Sequence, residues 1–173
     1  MSQSGLASSG LWRWGPVVLW MALISVGSTD VLAADETSRF ILPFLRWLLP
    51  GAPPATLDLL HGAIRKAGHV SEYAVLAVLW YRSLDWDGRA RRAKAALVAF
   101  ALTLAFAGLD EVHQAFVATR TASTLDVGWD GLGALFGAVG SSLWWDGRRA
   151  LRAENANAPK EDPPGRVSVP YDG

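Results

Sequence analysis

Three mostly apolar stretches of the sequence each carry ionisable or amide residues near one end. Many of these residues are three or four positions apart, a spacing that places them on one face of a helix. They are Lys66, His69, Glu72 and Tyr73 in the first stretch, Asp110, Glu111 and Gln114 at the end of the second, and Asp126 and Asp130 at the start of the third. Ionisable groups within apolar segments predict a functional site inside a membrane.

The residues of these groups differ in the chemistry that they can carry. Glu111 and His69 are the candidates for acid–base catalysis, because carboxyl and imidazole groups exchange protons readily. Lys66 and Arg120 can hold a phosphate or a carboxylate, the arginine through two parallel hydrogen bonds. The other candidates for ligand binding are Glu72, Tyr73, Asp110, Gln114, Asp126 and Asp130. We predict no metal site, since no ligand motif such as His-Glu-x-x-His is present and cations lie nearby.

The composition narrows the class of protein. Of the 173 residues, 51% are hydrophobic and 18% are charged, and no cysteine is present. The apolar content excludes a disordered chain, and the absence of cysteine excludes a disulfide scaffold. The 16 basic residues balance the 16 acidic ones, which disfavours a nucleic-acid partner. The length allows one domain, and its composition is typical of a membrane protein.

Four segments have the length and character of membrane-spanning helices, so the predicted fold is an all-α, multi-pass helix bundle. The segments are residues 14–34, 66–82, 94–116 and 126–145. The first segment can also be read as a cleavable secretory signal, because Arg13 precedes the apolar run and Val31-Leu32-Ala33 resembles a cleavage site. Retention of this segment is the preferred interpretation.

The first connection contains a predicted short helix that lies in the membrane interface. Apolar residues recur there at helical spacing, and prolines end the pattern. These apolar residues are Phe40, Ile41, Phe44, Leu45, Leu48 and Leu49. A second helix begins near Ala55 and continues into the second span. The predicted organisation is therefore a short cytoplasmic N-terminus (1–13), a transmembrane domain (14–150) and a disordered cytoplasmic tail (151–173).

Basic residues set the predicted orientation. The second connection is short and carries Arg82, Arg89, Arg91, Arg92 and Lys94. The positive-inside rule places this loop and both termini in the cytoplasm. With a rise of about 1.5 Å per residue, the polar groups of all three spans then fall in the outer half of the bilayer. We expect one polar site that faces outward, while the inner halves of the spans read as apolar.

These polar residues resemble the VanZ-like family of bacterial membrane proteins over residues 59–140. The matching positions are Lys66, His69, Tyr73, the run from Asp110 to Val117, Arg120, Ser123, Asp126, Asp130 and Gly133. Ala118-Thr119 departs from the Pro-Gly that is common in the family before the arginine. The resemblance implies a multi-pass protein of the bacterial cytoplasmic membrane. A named member is associated with resistance to the lipoglycopeptide teicoplanin, without a defined reaction.

The first functional hypothesis is an outer-leaflet site that binds, and can act on, an amphipathic cell-envelope molecule such as a lipid-linked intermediate. A metal-dependent hydrolase is disfavoured by the neighbouring cations. A small transporter or proton relay and a structural partner of another membrane protein, held through Gly133 and Gly137, stay open. The expected partners are membrane lipids and a lipid-linked or phosphate-bearing ligand, with no cofactor. A homo-oligomer is also among the expected assemblies, and the sequence leaves enzymatic activity open.

Overall fold

The computed structural model describes residues 3–29, 34–85, 91–116 and 124–157. These residues form five helices: α1 (Gln3–Gly27), α2 (Ala34–Leu48), α3 (Pro54–Leu84), α4 (Arg92–Ala115) and α5 (Thr124–Asn157). The described part of the chain contains no strand, so the all-α prediction is confirmed for it. Its helices contain the predicted second and fourth spans and nearly all of the third.

The first span does not have its predicted bounds, because α1 ends at Gly27 rather than continuing to residue 34. The next two residues close the helix with local hydrogen bonds. The backbone N–H of Thr29 donates to the carbonyl of Val26 at 3.1 Å, and the Thr29 hydroxyl donates to the same oxygen at 2.6 Å. Serine and threonine hydroxyls compete in this way with continued helix formation. Residues 30–33 lie outside the described part of the chain.

The predicted helix in the first connection is confirmed as α2. It is amphipathic, and among its residues Leu45 is buried while Phe40 and Trp47 are exposed. Pro54 occupies the first turn of α3, where its missing N–H costs no hydrogen bond. From there α3 runs without a break to Leu84, as the sequence predicted for a helix that continues into the second span.

α4 is the one described helix that is long and apolar enough to cross a membrane by itself. The four-span arrangement is therefore not established by helix length and composition. α3 and α5 are longer than α4, but they carry several polar and charged residues. α5 also continues to Asn157, so the beginning of the segment 151–173, which was predicted to be disordered, is helical. Residues 158–173 lie outside the described part.

α3 is the central helix, and it contacts α1, α2, α4 and α5. Its closest neighbour is α5, which presents Gly133 and Gly137 to it. A Cβ atom at Gly133 would overlap the carbonyl oxygen of Val70, and one at Gly137 would overlap that of Ala74. The two glycines therefore allow the helix backbones to approach closely, as predicted for a helix-contact surface.

α1 runs antiparallel to α3 and is held at its predicted cytoplasmic end by Arg13. The Arg13 Nε donates to the carbonyl of Ser83 at 2.8 Å, and the Ser83 hydroxyl donates to the carbonyl of Arg13 at 2.6 Å. Farther along α1, Val17 and Ile24 are buried in a core that includes Tyr73 of α3. These contacts fix the far end of α1 beside the polar residues of α3 and α4.

Candidate functional site

The carboxylate of Asp110 is the centre of a buried hydrogen-bond cluster. Its Oδ2 accepts hydrogen bonds from the hydroxyl of Ser28 at 2.6 Å, the amide of Gln114 at 2.8 Å and the hydroxyl of Tyr73 at 3.2 Å. Asp110 is 5% exposed, and its three donors are also buried. Asp110 and Gln114 are four residues apart on α4, so helix geometry presents both to the same neighbours. The structure thus brings together three of the predicted ligand-binding residues.

Ser28 belongs to this cluster, although the sequence reasoning missed it. It follows the last residue of α1 and links that helix to α4, because it donates to Asp110 and accepts from Gln114 at 3.3 Å. The available signal was a hydroxyl-bearing pair, Ser28-Thr29, in an apolar run at the end predicted to face outward. A single serine in such a run is common in helices, so the signal was weak.

A second pair of predicted site residues meets between α3 and α5. His69 Nδ1 and Asp130 Oδ1 lie 3.3 Å apart. Their orientation does not meet the angular requirement of a hydrogen bond, and both atoms are buried without another hydrogen-bond partner among the described residues. The negative charges of Glu72 and Asp126 also act on His69. One carboxyl group, that of Asp130, is therefore next to the imidazole, and two more are near it.

Lys66 faces α5 and not the buried clusters. Its Nζ lies 5.1 Å from the centre of the Trp129 ring, a cation–π arrangement, and the side chain is exposed. Lys66 was predicted to hold an anionic ligand. In the structure its ammonium group lies over Trp129 of α5 and does not line a described cavity, so that role stays a prediction.

Glu111 and Arg120, the remaining catalytic and anion-binding candidates, do not belong to either buried cluster as the structure describes them. Glu111 is partly buried, and it points about 100° around α4 from Asp110, because successive residues of an α-helix are separated by that angle. Asp110 rather than Glu111 is therefore the acid that faces the centre of the bundle. Arg120 lies outside the described residues, so its predicted contact with the ligand is not described here.

A cavity of about 430 Å³ adjoins both clusters, between α1, α2 and α3. Ser28 and His69 line it and connect it to Asp110 and Asp130, respectively. Pockets of 300–1,000 Å³ commonly hold small molecules. The cavity therefore offers space for a ligand whose polar part reaches the buried acids.

Two further buried hydroxyls lie deeper in the bundle. Thr103 of α4 and Ser141 of α5 are buried, and their oxygen atoms have no hydrogen-bond partner among the described residues. Both hydroxyls lie in stretches of α4 and α5 that the sequence analysis described as apolar. No group of three or more potential metal ligands occurs in the described ranges.

Comparison with known proteins gives one match. A family model described as VanZ/LLP1 matches residues 13–145, which include more than half of α1, all of α2 to α4 and most of α5. The matched range also contains every residue of the two buried clusters. No curated protein and no solved structure matches the chain.

Proposed function

The chain belongs to the VanZ/LLP1 family, and from this membership we propose that it is a multi-pass protein of the bacterial cytoplasmic membrane whose outward-facing polar site binds an amphipathic cell-envelope molecule. A lipid-linked intermediate has the required chemistry, with a polar head and a long apolar chain. Binding of such molecules would link the protein to lipoglycopeptide susceptibility of the teicoplanin type.

The membrane part of the proposal is supported by the family and by α4. VanZ-like proteins are generally membrane-associated, and α4 is apolar enough to span a bilayer. In the four-span arrangement that we propose, α1, α3 and α5 cross beside it. Their many exposed large apolar side chains, including Leu19 of α1, Val75 of α3 and Phe136 of α5, would then contact lipid. Arg13 and Arg82 would lie at the cytoplasmic ends of α1 and α3, with both chain termini inside.

The observation that carries the binding proposal is the buried Asp110 cluster next to the cavity. A carboxylate in a membrane segment costs several kcal/mol unless its oxygens accept hydrogen bonds. Asp110 receives such bonds from α1, α3 and its own helix, so three segments are committed to holding one acid in place. Helix ends that have no role in ligand binding do not need a buried carboxylate with three hydrogen-bond donors. The hydrogen bonds that three segments donate to Asp110 therefore support a ligand site at this position.

His69 and Glu111 are the proton-transfer candidates at this site, and the binding proposal does not depend on a reaction. Glu72, Asp126 and Asp130 provide negative charge near His69. Lys66, which faces α5, and Arg120, in the connection between α4 and α5, are the two cations that the sequence analysis assigned to an anionic ligand.

Complementation in a strain that lacks the gene tests the proposal. The variants are His69→Ala, Glu111→Gln, Asp110→Asn and Arg120→Ala, with His113→Ala as a control because His113 is exposed on α4. We expect the first four to lose the effect on envelope-antibiotic susceptibility at normal protein levels, and the control to retain it. Unchanged susceptibility in all four would refute the proposal. Native mass spectrometry of the wild-type chain should in addition detect a co-purifying lipid that is lost in Arg120→Ala.

A proton relay is the second candidate function, and the buried hydroxyls favour it. Thr103 and Ser141 place polar atoms inward of Asp110 and Asp130 in the proposed orientation. Intramembrane acids, histidine and hydroxyls are typical of proton paths. Proton uptake by vesicles that contain the protein would support this function if it disappears in Thr103→Val, a substitution of similar size.

A further inference from the structure

We infer that the cavity between α1, α2 and α3 is the site that receives the ligand, that the ligand is an amphiphile with an anionic head, and that Arg65 binds that head. This inference rests on the proposed function and makes it specific. It assigns the anion-binding role to a residue that was not among the sequence candidates. It also places the ligand at a face of α3 that is about 100° around the helix from Lys66.

The walls of the cavity fit an apolar chain. They are formed by side chains of α1, α2 and α3, among them Leu23, Ile24, Ile41 and Ile64. Trp20 lines the cavity too, and its indole N–H donates to the backbone carbonyl of Glu72 at 3.0 Å, two turns beyond Arg65 on α3. Binding pockets are commonly lined mainly by apolar side chains, with a few polar groups that fix the orientation of the ligand. The composition of this cavity follows that pattern.

Arg65 supplies the positive charge. It is half-buried and lines the cavity, and no carboxylate among the described residues forms a salt bridge with it. Arg65, His69 and Glu72 succeed one another at intervals of four and three residues, so they form one stripe along α3. A guanidinium group binds phosphate or carboxylate through two parallel hydrogen bonds. The anionic head should therefore lie at Arg65, with its neighbouring polar atoms near His69.

The floor of the cavity connects the ligand to the buried acids. Ser28 lines the cavity and donates to Asp110, while His69 lines it and lies beside Asp130. Both acids are thus one side chain away from the ligand and are shielded from it by a neutral hydroxyl or an imidazole. This arrangement lets an anion bind at Arg65 without direct contact with Asp110 or Asp130, and Glu72, which also lines the cavity, is about two turns along α3 from Arg65.

Binding of defined amphiphiles to the full chain in lipid nanodiscs tests the inference, with partitioning into empty nanodiscs subtracted. Two probes, dodecyl phosphate and dodecanoate, have an anionic head and an apolar chain. Dodecanol lacks the anionic head, and inorganic phosphate lacks the apolar chain. We expect the first two to bind. Dodecanol should bind at least about tenfold more weakly, since a charge-assisted hydrogen bond contributes a factor of about ten or more. Inorganic phosphate should also bind at least about tenfold more weakly, because it buries no apolar chain in the cavity.

Two pairs of variants locate the site. Arg65→Gln should weaken dodecyl phosphate binding about tenfold, whereas Arg46→Gln, on the exposed part of α2, should not. Gly68→Leu should abolish binding, because Gly68 lines the cavity and a Cβ atom there has open space, so the new side chain fills the cavity without a clash. Gly62→Leu is the matched control, since Gly62 also has open space and does not line the cavity.

The outcomes separate this inference from the proposed function. If Lys66→Gln weakens binding and Arg65→Gln does not, the ligand lies on the α5 side: the cavity inference fails and the proposed function stands. Tight binding of inorganic phosphate alone would overturn the amphiphile assignment. If no probe binds while the complementation variants lose their effect on susceptibility, the cavity inference fails and the proposed function survives. Binding that survives both Arg65→Gln and Gly68→Leu would also overturn the inference.

Discussion

The two sides of α3 differ in how closely they are packed. Toward α5, Gly133 and Gly137 bring the helix backbones into contact, and no side chain larger than hydrogen can be accommodated at either position. Toward α1 and α2, the same helix leaves a cavity of about 430 Å³ beside Gly68, where a Cβ atom has open space. The glycines of the bundle therefore serve opposite purposes on the two sides.

This difference suggests a division of roles along one helix. The closely packed side fixes Asp130 of α5 at 3.3 Å from His69, and it gives the site a rigid frame. The open side provides space for a ligand that reaches Ser28 and His69. His69 belongs to both sides, since it lines the cavity and faces Asp130, and it is thus the residue through which a bound ligand would influence the frame.

The largest effect should come from adding a side chain on the closely packed side. Gly133→Leu introduces a side chain where even a Cβ atom overlaps the Val70 carbonyl, so the helices must separate. We expect a loss of about 3 kcal/mol in the free energy of unfolding, measured by circular dichroism during denaturation in mixed micelles. Gly68→Leu, on the open side, should leave that free energy nearly unchanged. Equal destabilisation by both variants would contradict the difference between the two sides.

Removal of the buried acid should have the next largest effect. Asp110→Ala leaves the donors of Tyr73, Ser28 and Gln114 without their acceptor. We expect a loss of about 2 kcal/mol in the free energy of unfolding, because Gln114 can still donate to Ser28 at 3.3 Å and recover part of the cost. Asp110→Asn keeps one acceptor oxygen and should lose less. The same denaturation experiment, with His113→Ala as the exposed control on α4, would contradict the prediction if control and variant behaved alike.

Much of this arrangement could be predicted from the sequence, because helical spacing and the alternating direction of the spans decide which residues share a level. That reasoning placed five residues near one another, and the structure brings them into two groups whose members contact each other. The first group is Tyr73, Asp110 and Gln114, and the second is His69 and Asp130. The glycine contact surface was predictable for the same reason. A period of 3.6 residues is set by the backbone and does not depend on the neighbouring helices.

The rest depended on tertiary packing. Ser28 was missed because the rotation of α1 about its axis is set by its contacts with α3, such as the bonds between Arg13 and Ser83. The sequence could not decide between Arg65 and Lys66 as the residue that binds an anion. Adjacent residues point about 100° apart, and the sequence does not specify which of them faces the open side. The end of the first span was misjudged because hydropathy does not register the local bonds that end α1 at Gly27.

The contact between His69 and Asp130 should contribute a smaller amount to stability. A double-mutant cycle with His69→Ala and Asp130→Ala isolates it, and we expect a coupling free energy of about 1 kcal/mol. We expect a modest coupling free energy because His69 Nδ1 and Asp130 Oδ1 lie 3.3 Å apart but are not aligned as a hydrogen bond. The cycle should be repeated with saturating dodecyl phosphate. A coupling that is unchanged by the probe would mean that His69 does not transmit binding from the open side to the packed side.

The smallest effect on stability is expected for the adjacent cations of α3, and it distinguishes the two sides most sharply. Lys66→Gln removes an exposed cation–π contact with Trp129 and should cost about 0.5 kcal/mol in the free energy of unfolding. Arg65→Gln should leave that free energy unchanged, since no described carboxylate is paired with Arg65. Dodecyl phosphate binding should show the reverse order, with the loss confined to Arg65→Gln. The two residues are neighbours with the same charge, and opposite orders of the two variants in the two measurements are what the different faces of α3 at Arg65 and Lys66 predict.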